Sequence, residues 1–316
     1  MATILACITR GSAGSSAPPV CLAGDTWLEL GAFSGACGGA LFGRLIHTLG
    51  FSMAANVTHD AFTQPDDEDI LIWRYMDFSK YVAMLLSKGL YFSRADKLGD
   101  PYEGSITRGE RARIEERATT AEKTGKLPEF WKGRYFEVLM HSWRAATKEN
   151  YALCWHMNSD ESLAMWQSYG VGQGLAIQSS YKCLVDCLPS KYKPIEHAGP
   201  FVGVVEYINY EKETFNTKNI FFSLLHKRKS FSHENECRAI IWKHGNREGP
   251  DPAPLSQLEH NERGFVVDVD LNKLIHRVVL SPQTPEWFSD VLANITQILG
   301  FDFEVVSSQL DLESYL

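Results

Sequence analysis

The sequence of 316 residues lacks the features that define several large protein classes. It has no run of 18 or more apolar residues free of charges or glycine breaks, so no membrane span is predicted. The seven cysteines are odd in number and form no C-x-x-C pair, which predicts neither a disulfide framework nor a zinc site and favours a cytoplasmic location. Basic residues (31) are fewer than acidic residues (39), and this balance disfavours nucleic acid as a non-specific partner.

Short motifs with a known mechanism are also missing. The chain contains no G-x-G-x-x-G, no Walker A loop, no H-E-x-x-H and no nucleophile elbow. Its composition, 44% hydrophobic and 12% aromatic with eight tryptophans, is that of a folded globular protein. Any function must therefore be sought in clusters of polar residues at the ends of predicted elements.

The N-terminal region, residues 1–59, differs from the rest of the chain. It contains only four charged residues and no lysine, and the stretch GSAGSSAPP at 11–19 is typical of a linker. We predict a poorly structured extension over 1–59, with a native start at Met53 as an alternative, followed by a single domain over 60–316.

Strand and helix patterns are mixed along this domain without regular βαβ alternation. Strands are predicted at 70–76, 151–158 and 236–243, among others, and a helical insertion is predicted at about 105–150. This order predicts the α+β class, with a single mixed, mostly antiparallel sheet and flanking helices.

The first strand carries a candidate binding pair, Arg74 and Tyr75. Alternation places Arg74 on one face with Ile72 and Met76. An arginine on an apolar face needs an anion, which is either a carboxylate in a structural ion pair or a phosphate of a ligand. Both interpretations remain open from the sequence.

Two further segments hold weaker candidates. Asp100 and Glu103, in a turn marked by Asp-Pro and Gly, could bind a metal, orient a ribose or cap the next helix. Trp155 and His156 end a predicted strand ahead of a helix at 159–170. In that helix, Trp166 and Tyr169 are neighbours at i,i+3, and such a pair suits stacking on a flat ring or simple core packing.

The richest cluster runs from Lys227 to Arg238. A strand that begins near Glu234 would point Glu234, Glu236 and Arg238 to one face, directly after the basic run at 227–229. This pattern joins an anion-binding group to a general base or a group that stabilises an oxocarbenium ion. A salt-bridge ladder explains it equally well.

Four segments together resemble the bacterial family catalogued as domain of unknown function 2971. They are WRYMDF at 73–78, GLYFSRADKLGDPYEG at 89–104, CWHMNSDESLAMWQSYG at 154–170 and KRKSFSHENECRAI at 227–240. The resemblance covers about residues 70–282 and implies a fold but no assigned chemistry.

The order of these parts also resembles the ADP-ribosyltransferase layout. That likeness implies NAD as substrate, with Arg74 on the diphosphate or ribose, Tyr169 on the nicotinamide, Glu236 in the catalytic acidic role and Glu234 facing the acceptor. The sequence departs from that layout in two places, since it has no Ser-Thr-Ser motif and no His-Gly pair after the first strand.

Three functions follow from these patterns. The first is an NAD- or nucleotide-binding transferase or glycohydrolase with Glu236, Glu234 and Tyr169 as catalytic residues. Its predicted cofactor-binding residues are Arg74, Tyr75, Ser93, Trp155, His156, Trp166, Lys229 and Arg238. The second is a non-catalytic module that binds a nucleotide or a protein. The third is a metal-dependent phosphodiesterase that uses Asp100, Glu103, His156, Glu234 and Glu236. Under the first and second functions we expect no bound metal.

Overall fold

The computed structural model describes residues 59–124, 132–170, 173–189, 197–217, 219–243 and 263–311. The predicted N-terminal extension, up to residue 58, lies outside the described residues, as does the stretch EGPDPAP at 248–254, whose glycine and prolines predict a loop. None of the described helices has the length and apolar character needed to cross a membrane.

Eleven strands and eight α-helices make up the described part of the chain. The strands are β1 Leu71–Asp77, β2 Gly89–Arg94, β3 Asn150–Met157, β4 Gly174–Ser180, β5 His197–Val204, β6 Glu206–Ile208, β7 His226–Arg228, β8 Glu236–Lys243, β9 Gly264–Asp268, β10 Arg277–Leu280 and β11 Val305–Val306. The helices are α1 Phe78–Ser87, α2 Arg108–Lys123, α3 Tyr135–Lys148, α4 Leu163–Tyr169, α5 Tyr181–Cys187, α6 Ile220–Leu224, α7 Leu271–Leu274 and α8 Glu286–Ile298. Short 3₁₀ helices cover Ala95–Lys97, Lys229–Glu234 and Gln309–Asp311. Helices α2 and α3 fall in the region predicted as a helical insertion.

Nine of the strands form one large sheet, and β6 pairs with β7 in a small separate ribbon. The main path runs β11-β10-β4-β1-β3-β2-β9, and β8 joins β3 to β5. Within this sheet β10 and β11 are parallel, and the other pairs are antiparallel. The prediction of an α+β fold with a mixed, mostly antiparallel sheet is therefore confirmed.

Strands β1 and β2 share one edge of β3 but diverge from each other. β1 pairs with β3 through Ile72 and Trp73, at the end of β3 that holds His156. β2 pairs with β3 through Ser93 and Arg94, at the opposite end. Between these points the sheet opens, bordered by residues 74–77, 89–92 and 153–155. On their other edges these segments pair with β4, β9 and β8, respectively, so the opening is bordered by strands that are each held from behind.

The sheet is packed on both faces, because β1 alternates two sets of buried side chains. Ile72 and Met76 belong to the largest core cluster, while Trp73 and Tyr75 pack with Trp166 on the other face. Burial of each large apolar side chain stabilises the fold by about 1.5–3 kcal/mol. The two clusters therefore hold β1 firmly in place at the border of the opening.

The sequence NIFFSLLHKR at 219–228 predicts a helix, but the structure forms a helix over only part of this segment. Helix α6 ends at Leu224, and the chain then extends as β7. Leu225 ends the helix by donating its N–H to the carbonyls of Phe221 and Phe222. The extended backbone that follows buries the Lys227 ammonium among carboxylates, and this tertiary interaction overrides the local helix propensity.

Candidate active site

A cavity of about 820 Å³ occupies the opening between β1 and β2. Its wall combines basic groups, carboxylates and aromatic rings. The basic lining residues are Arg74, Lys80, Lys97, Lys227 and Arg238, the acidic ones are Glu103 and Glu236, and the rings include Trp73, Tyr75, Tyr91, Trp155, His156 and Tyr169. A volume of this size suits a small molecule with a flat ring and a charged group.

Arg74 differs from the other basic groups of this wall. Lys80 pairs with Asp77 at 2.7 Å, and Lys97 approaches Asp96 at 3.9 Å. Within the described residues no carboxylate lies at ion-pair distance from Arg74, whose Nη2 donates to the carbonyl of Tyr91 at 3.4 Å. Burial lowers the pKa of Arg74 to about 10, so the half-buried guanidinium stays charged at neutral pH. A half-buried charged donor of this kind is stabilised by an anion, and the described residues place no carboxylate at ion-pair distance from it.

A buried cluster of five charged side chains forms another part of the wall. Its members are Glu103, Lys227, Glu234, Glu236 and Arg238, each no more than 8% exposed. Lys227 Nζ lies 3.1 Å from Glu103 Oε1 and 2.9 Å from Glu236 Oε1, and it also contacts Glu234 Oε2. Arg238 donates from Nε to Glu236 Oε2 at 2.6 Å and from Nη2 to Glu103 Oε1 at 3.0 Å. We call this group the acidic cluster, because its three carboxylates outnumber its two cations.

Two local features position these side chains. Asn235 adopts a left-handed conformation (φ 36°), and β8 begins directly after it at Glu236, as predicted for the strand at 236–243, so Glu234 lies before the strand and not within it. Glu234 therefore reaches Lys227 from the end of a 3₁₀ helix. Gly104, with φ 73°, turns the chain directly after Glu103, where an added Cβ would lie 2.1 Å from Thr147 Cγ2.

The two adjacent carboxyl groups of the acidic cluster differ in proton affinity. Burial, together with a hydrogen bond to Glu236, raises the pKa of Glu234 to about 7. Burial alone would also raise the pKa of Glu236. This pKa is nevertheless held well below its usual range by the Arg238 guanidinium, a hydrogen bond from Glu234 and the Lys227 ammonium. Two carboxyls with separated pKa values can divide acid–base and electrostatic roles between them.

His156 lies opposite Glu236 across the β3–β8 pair. Its Nδ1 is 2.5 Å from the carbonyl of Glu234, which only accepts, so Nδ1 carries the hydrogen. Burial lowers the pKa of His156 and keeps the ring neutral at pH 7. Its Nε2 is a buried lone pair without a hydrogen-bond partner in the described structure, and Glu103 Oε2 is a second such acceptor.

The aromatic pair of helix α4 divides between wall and core. The helix begins after Ser162, whose side chain caps it, and is therefore shorter at its start than the helix predicted over 159–170. Tyr169 is 47% exposed, lines the cavity and donates from its hydroxyl to Glu234 Oε1 at 2.9 Å. Trp166 is buried behind Tyr75, with ring centroids 4.8 Å apart, and supports the wall without lining it.

Eight of the eleven site residues predicted from the sequence line this one cavity. They are Arg74, Tyr75, Ser93, Trp155, His156, Tyr169, Glu236 and Arg238. Glu234 touches the wall through Tyr169 and Lys227. Trp166 lies behind the wall, and Lys229 lies outside the lining, paired with the exposed Glu213.

The sequence did not identify Glu103 and Lys227 as partners in one cluster. The sequence grouped Lys227 with Arg228 and Lys229 as an anion-binding run. In the structure each of these three side chains instead pairs with a carboxylate of the protein. Lys227 contacts Glu234, Arg228 Nη2 lies 2.8 Å from Asp100 Oδ1, and Lys229 contacts Glu213. No sequence signal links Glu103 to Arg238, 135 positions later.

Comparison of the chain with protein-family models, with curated proteins and with solved structures finds no match in any of the three. The two resemblances described from the sequence therefore stay predictions. Among the described residues, no group of three or more His, Cys, Asp or Glu side chains is arranged to hold a metal ion.

Proposed function

We propose that the cavity binds NAD or a closely related nucleotide, and that the protein is a transferase or glycohydrolase that cleaves the bond between the nicotinamide and its ribose. The observation that carries this proposal is the presence, in one cavity, of Arg74, which has no carboxylate partner among the described residues, and of the Glu236 carboxylate, which is linked behind the wall to a second buried carboxyl, Glu234, of higher pKa.

The anionic part of the nucleotide is assigned to Arg74. A diphosphate oxygen would supply the negative charge that Arg74 lacks among the described residues, and the guanidinium can donate two parallel hydrogen bonds to it. Tyr169 and Tyr75 offer ring faces for a flat base or for the nicotinamide.

The reacting part is assigned to the acidic cluster. In the proposed step the bond from ribose C1′ to the nicotinamide nitrogen breaks, and its electron pair neutralises the positive ring. The Glu236 carboxylate, held ionised by Arg238 and Lys227, stabilises the oxocarbenium ion that develops. An acceptor hydroxyl or water then bonds to C1′ and gives its proton to Glu234. The products are free nicotinamide and an ADP-ribosylated acceptor, or ADP-ribose.

Binding is tested by calorimetric titration of NAD into the wild type, Arg74→Gln and Arg94→Gln. Arg94 ends the neighbouring strand β2, pairs with Asp96 at 2.6 Å and lies outside the cavity lining. Arg94→Gln is therefore the matched control, because it removes one positive charge without changing the cavity. Loss of one charged hydrogen-bond donor should weaken NAD binding about 10- to 100-fold in Arg74→Gln. Arg94→Gln should bind like the wild type. No binding to the wild type at millimolar NAD, or equal weakening in both variants, refutes the assignment.

Chemistry is tested by release of nicotinamide from NAD, followed by chromatography. Glu236→Gln should bind NAD but release nicotinamide about 100-fold more slowly or not at all, because a neutral amide stabilises the oxocarbenium ion less. Glu236→Asp, which keeps the charge, serves if the amide variant fails to fold. NAD binding without release by the wild type would instead identify a non-catalytic binding module.

A further inference from the structure

We infer that the acidic cluster receives a positively charged group of the ligand, and that this group displaces a proton held between Glu234 and Glu236. This inference rests on the proposed function, since it specifies which form of the nucleotide the same site takes. It predicts that the site distinguishes a ligand with a cationic ring from the same ligand with a neutral ring.

The charge count of the acidic cluster is the first argument. Glu103, Glu234 and Glu236 share only two cations, Lys227 and Arg238, and all five side chains are buried. An isolated buried charge is unfavourable, so without a ligand one carboxyl retains a proton. Lys227 Nζ contacts both Glu234 and Glu236, and burial above all raises the pKa of Glu234 to about 7, so this pair of carboxyls holds the proton.

Two unsatisfied acceptors are the second, independent argument. Glu103 Oε2 and His156 Nε2 are buried, lack hydrogen-bond partners in the described structure and belong to residues of the cavity wall. Both atoms have lone pairs that can accept a hydrogen bond. They favour a group with positive charge or hydrogen-bond donors, and they disfavour a second anion at this part of the wall.

The titratable and charged groups at and around the Glu234 carboxyl come from several elements. Lys227 of β7, Glu236 of β8 and Tyr169 of α4 act on the carboxyl itself. Around them lie Arg238 of β8, Glu103 of the turn before α2, Tyr207 of β6, His156 of β3, which contacts the Glu234 backbone carbonyl, and the neighbouring His233. His156 is neutral at pH 7 and the tyrosine pKa values are raised, mainly by burial. The proton between Glu234 and Glu236 is therefore the one that a cation displaces near neutral pH.

Oxidised NAD carries a positive nicotinamide ring, and its reduced form carries a neutral one. When the positive ring enters, the cluster gains one positive charge and loses one proton to solvent, so the total charge is conserved. The tyrosine faces of the wall also favour a cationic ring over a neutral one. We therefore expect oxidised NAD to bind about tenfold or more tightly than reduced NAD at pH 7.

The test is calorimetric titration at pH 6 in two buffers of different ionisation enthalpy, which counts the protons released per ligand bound. The ligands are oxidised NAD, reduced NAD, the 1-methylnicotinamide cation and neutral nicotinamide. We expect release of about one proton with each cationic ligand and none with its neutral counterpart. In Glu234→Gln the release should disappear, whereas Glu213→Gln, which removes an exposed carboxylate paired with Lys229, should behave as the wild type.

The outcomes separate this inference from the proposed function. If oxidised and reduced NAD bind equally and release no proton, the inference is wrong while nucleotide binding stands. If neither form of NAD binds, the proposed function is wrong, and the 1-methylnicotinamide titration decides the inference alone. Binding of that cation with proton release supports the inference, and its failure to bind overturns it.

Discussion

Replacement of Lys227 by methionine tests whether the acidic cluster is held together by its central ammonium. Lys227→Met keeps the length of the side chain but removes the charge that contacts Glu103, Glu234 and Glu236. Three buried carboxylates then face Arg238 alone. Removal of one partner from a buried ion pair costs about 3–5 kcal/mol, since the remaining charges stay desolvated.

Lys229→Met is the matched control, two positions further along the chain. Lys229 contacts a single carboxylate, Glu213, at 2.5 Å, and the two side chains are 60% and 38% exposed. An exposed pair contributes at most about 1 kcal/mol. The same substitution should therefore be nearly neutral at position 229.

Equilibrium urea unfolding, followed by tryptophan fluorescence at pH 7, measures both variants against the wild type. The deficit of Lys227→Met should also shrink as the pH falls, because the carboxylates left without the ammonium take up protons. Equal free energies of unfolding for Lys227→Met and Lys229→Met would refute the reasoning. So would a deficit that does not change between pH 7 and pH 5.

Two further variants test the proton and the turn of the acidic cluster. The folded-state pKa of Glu234 is raised to about 7, so the protonated carboxyl contributes to the free energy of unfolding. This contribution is fully present below the ordinary pKa of a glutamate and is lost as the pH rises through 7. Glu234→Gln should remove this part of the pH dependence of the unfolding free energy, and an unchanged slope between pH 5 and pH 7.5 would contradict it. Gly104→Ala combines an unfavourable φ of 73° with a clash on Thr147, so its melting temperature should fall further than that of Gly133→Ala, where φ is 71° and no heavy atom lies within 4 Å of the added Cβ. Equal melting temperatures for the two alanine variants would show that the turn tolerates a side chain.

The sequence predicted the elements whose patterns are local. β1 and β8 combine β-branched and aromatic residues with clear ends, and their predicted bounds agree with the structure within one or two residues. Strand alternation also placed Ile72 and Met76 on one face of β1, as observed in the main core. Such features depend on near neighbours, and a single sequence records these well.

The cavity itself could not be predicted, because it depends on pairing between distant strands. Nothing in the sequence shows that β1 and β2 share one edge of β3 and then separate. The position of Lys227 was also missed, since its extended conformation depends on carboxylates from a distant turn and from the next strand. Arg74 was identified as needing an anion, but only the structure shows that the described chain does not supply a carboxylate.

A crystal structure of the wild-type protein with NAD tests the central claim most directly. The account predicts the nucleotide in the opening between β1 and β2, with a diphosphate oxygen within hydrogen-bond distance of Arg74 and the nicotinamide or its ribose against Glu236 and Tyr169. NAD bound at another surface, or an empty opening in crystals soaked at saturating NAD, would contradict it.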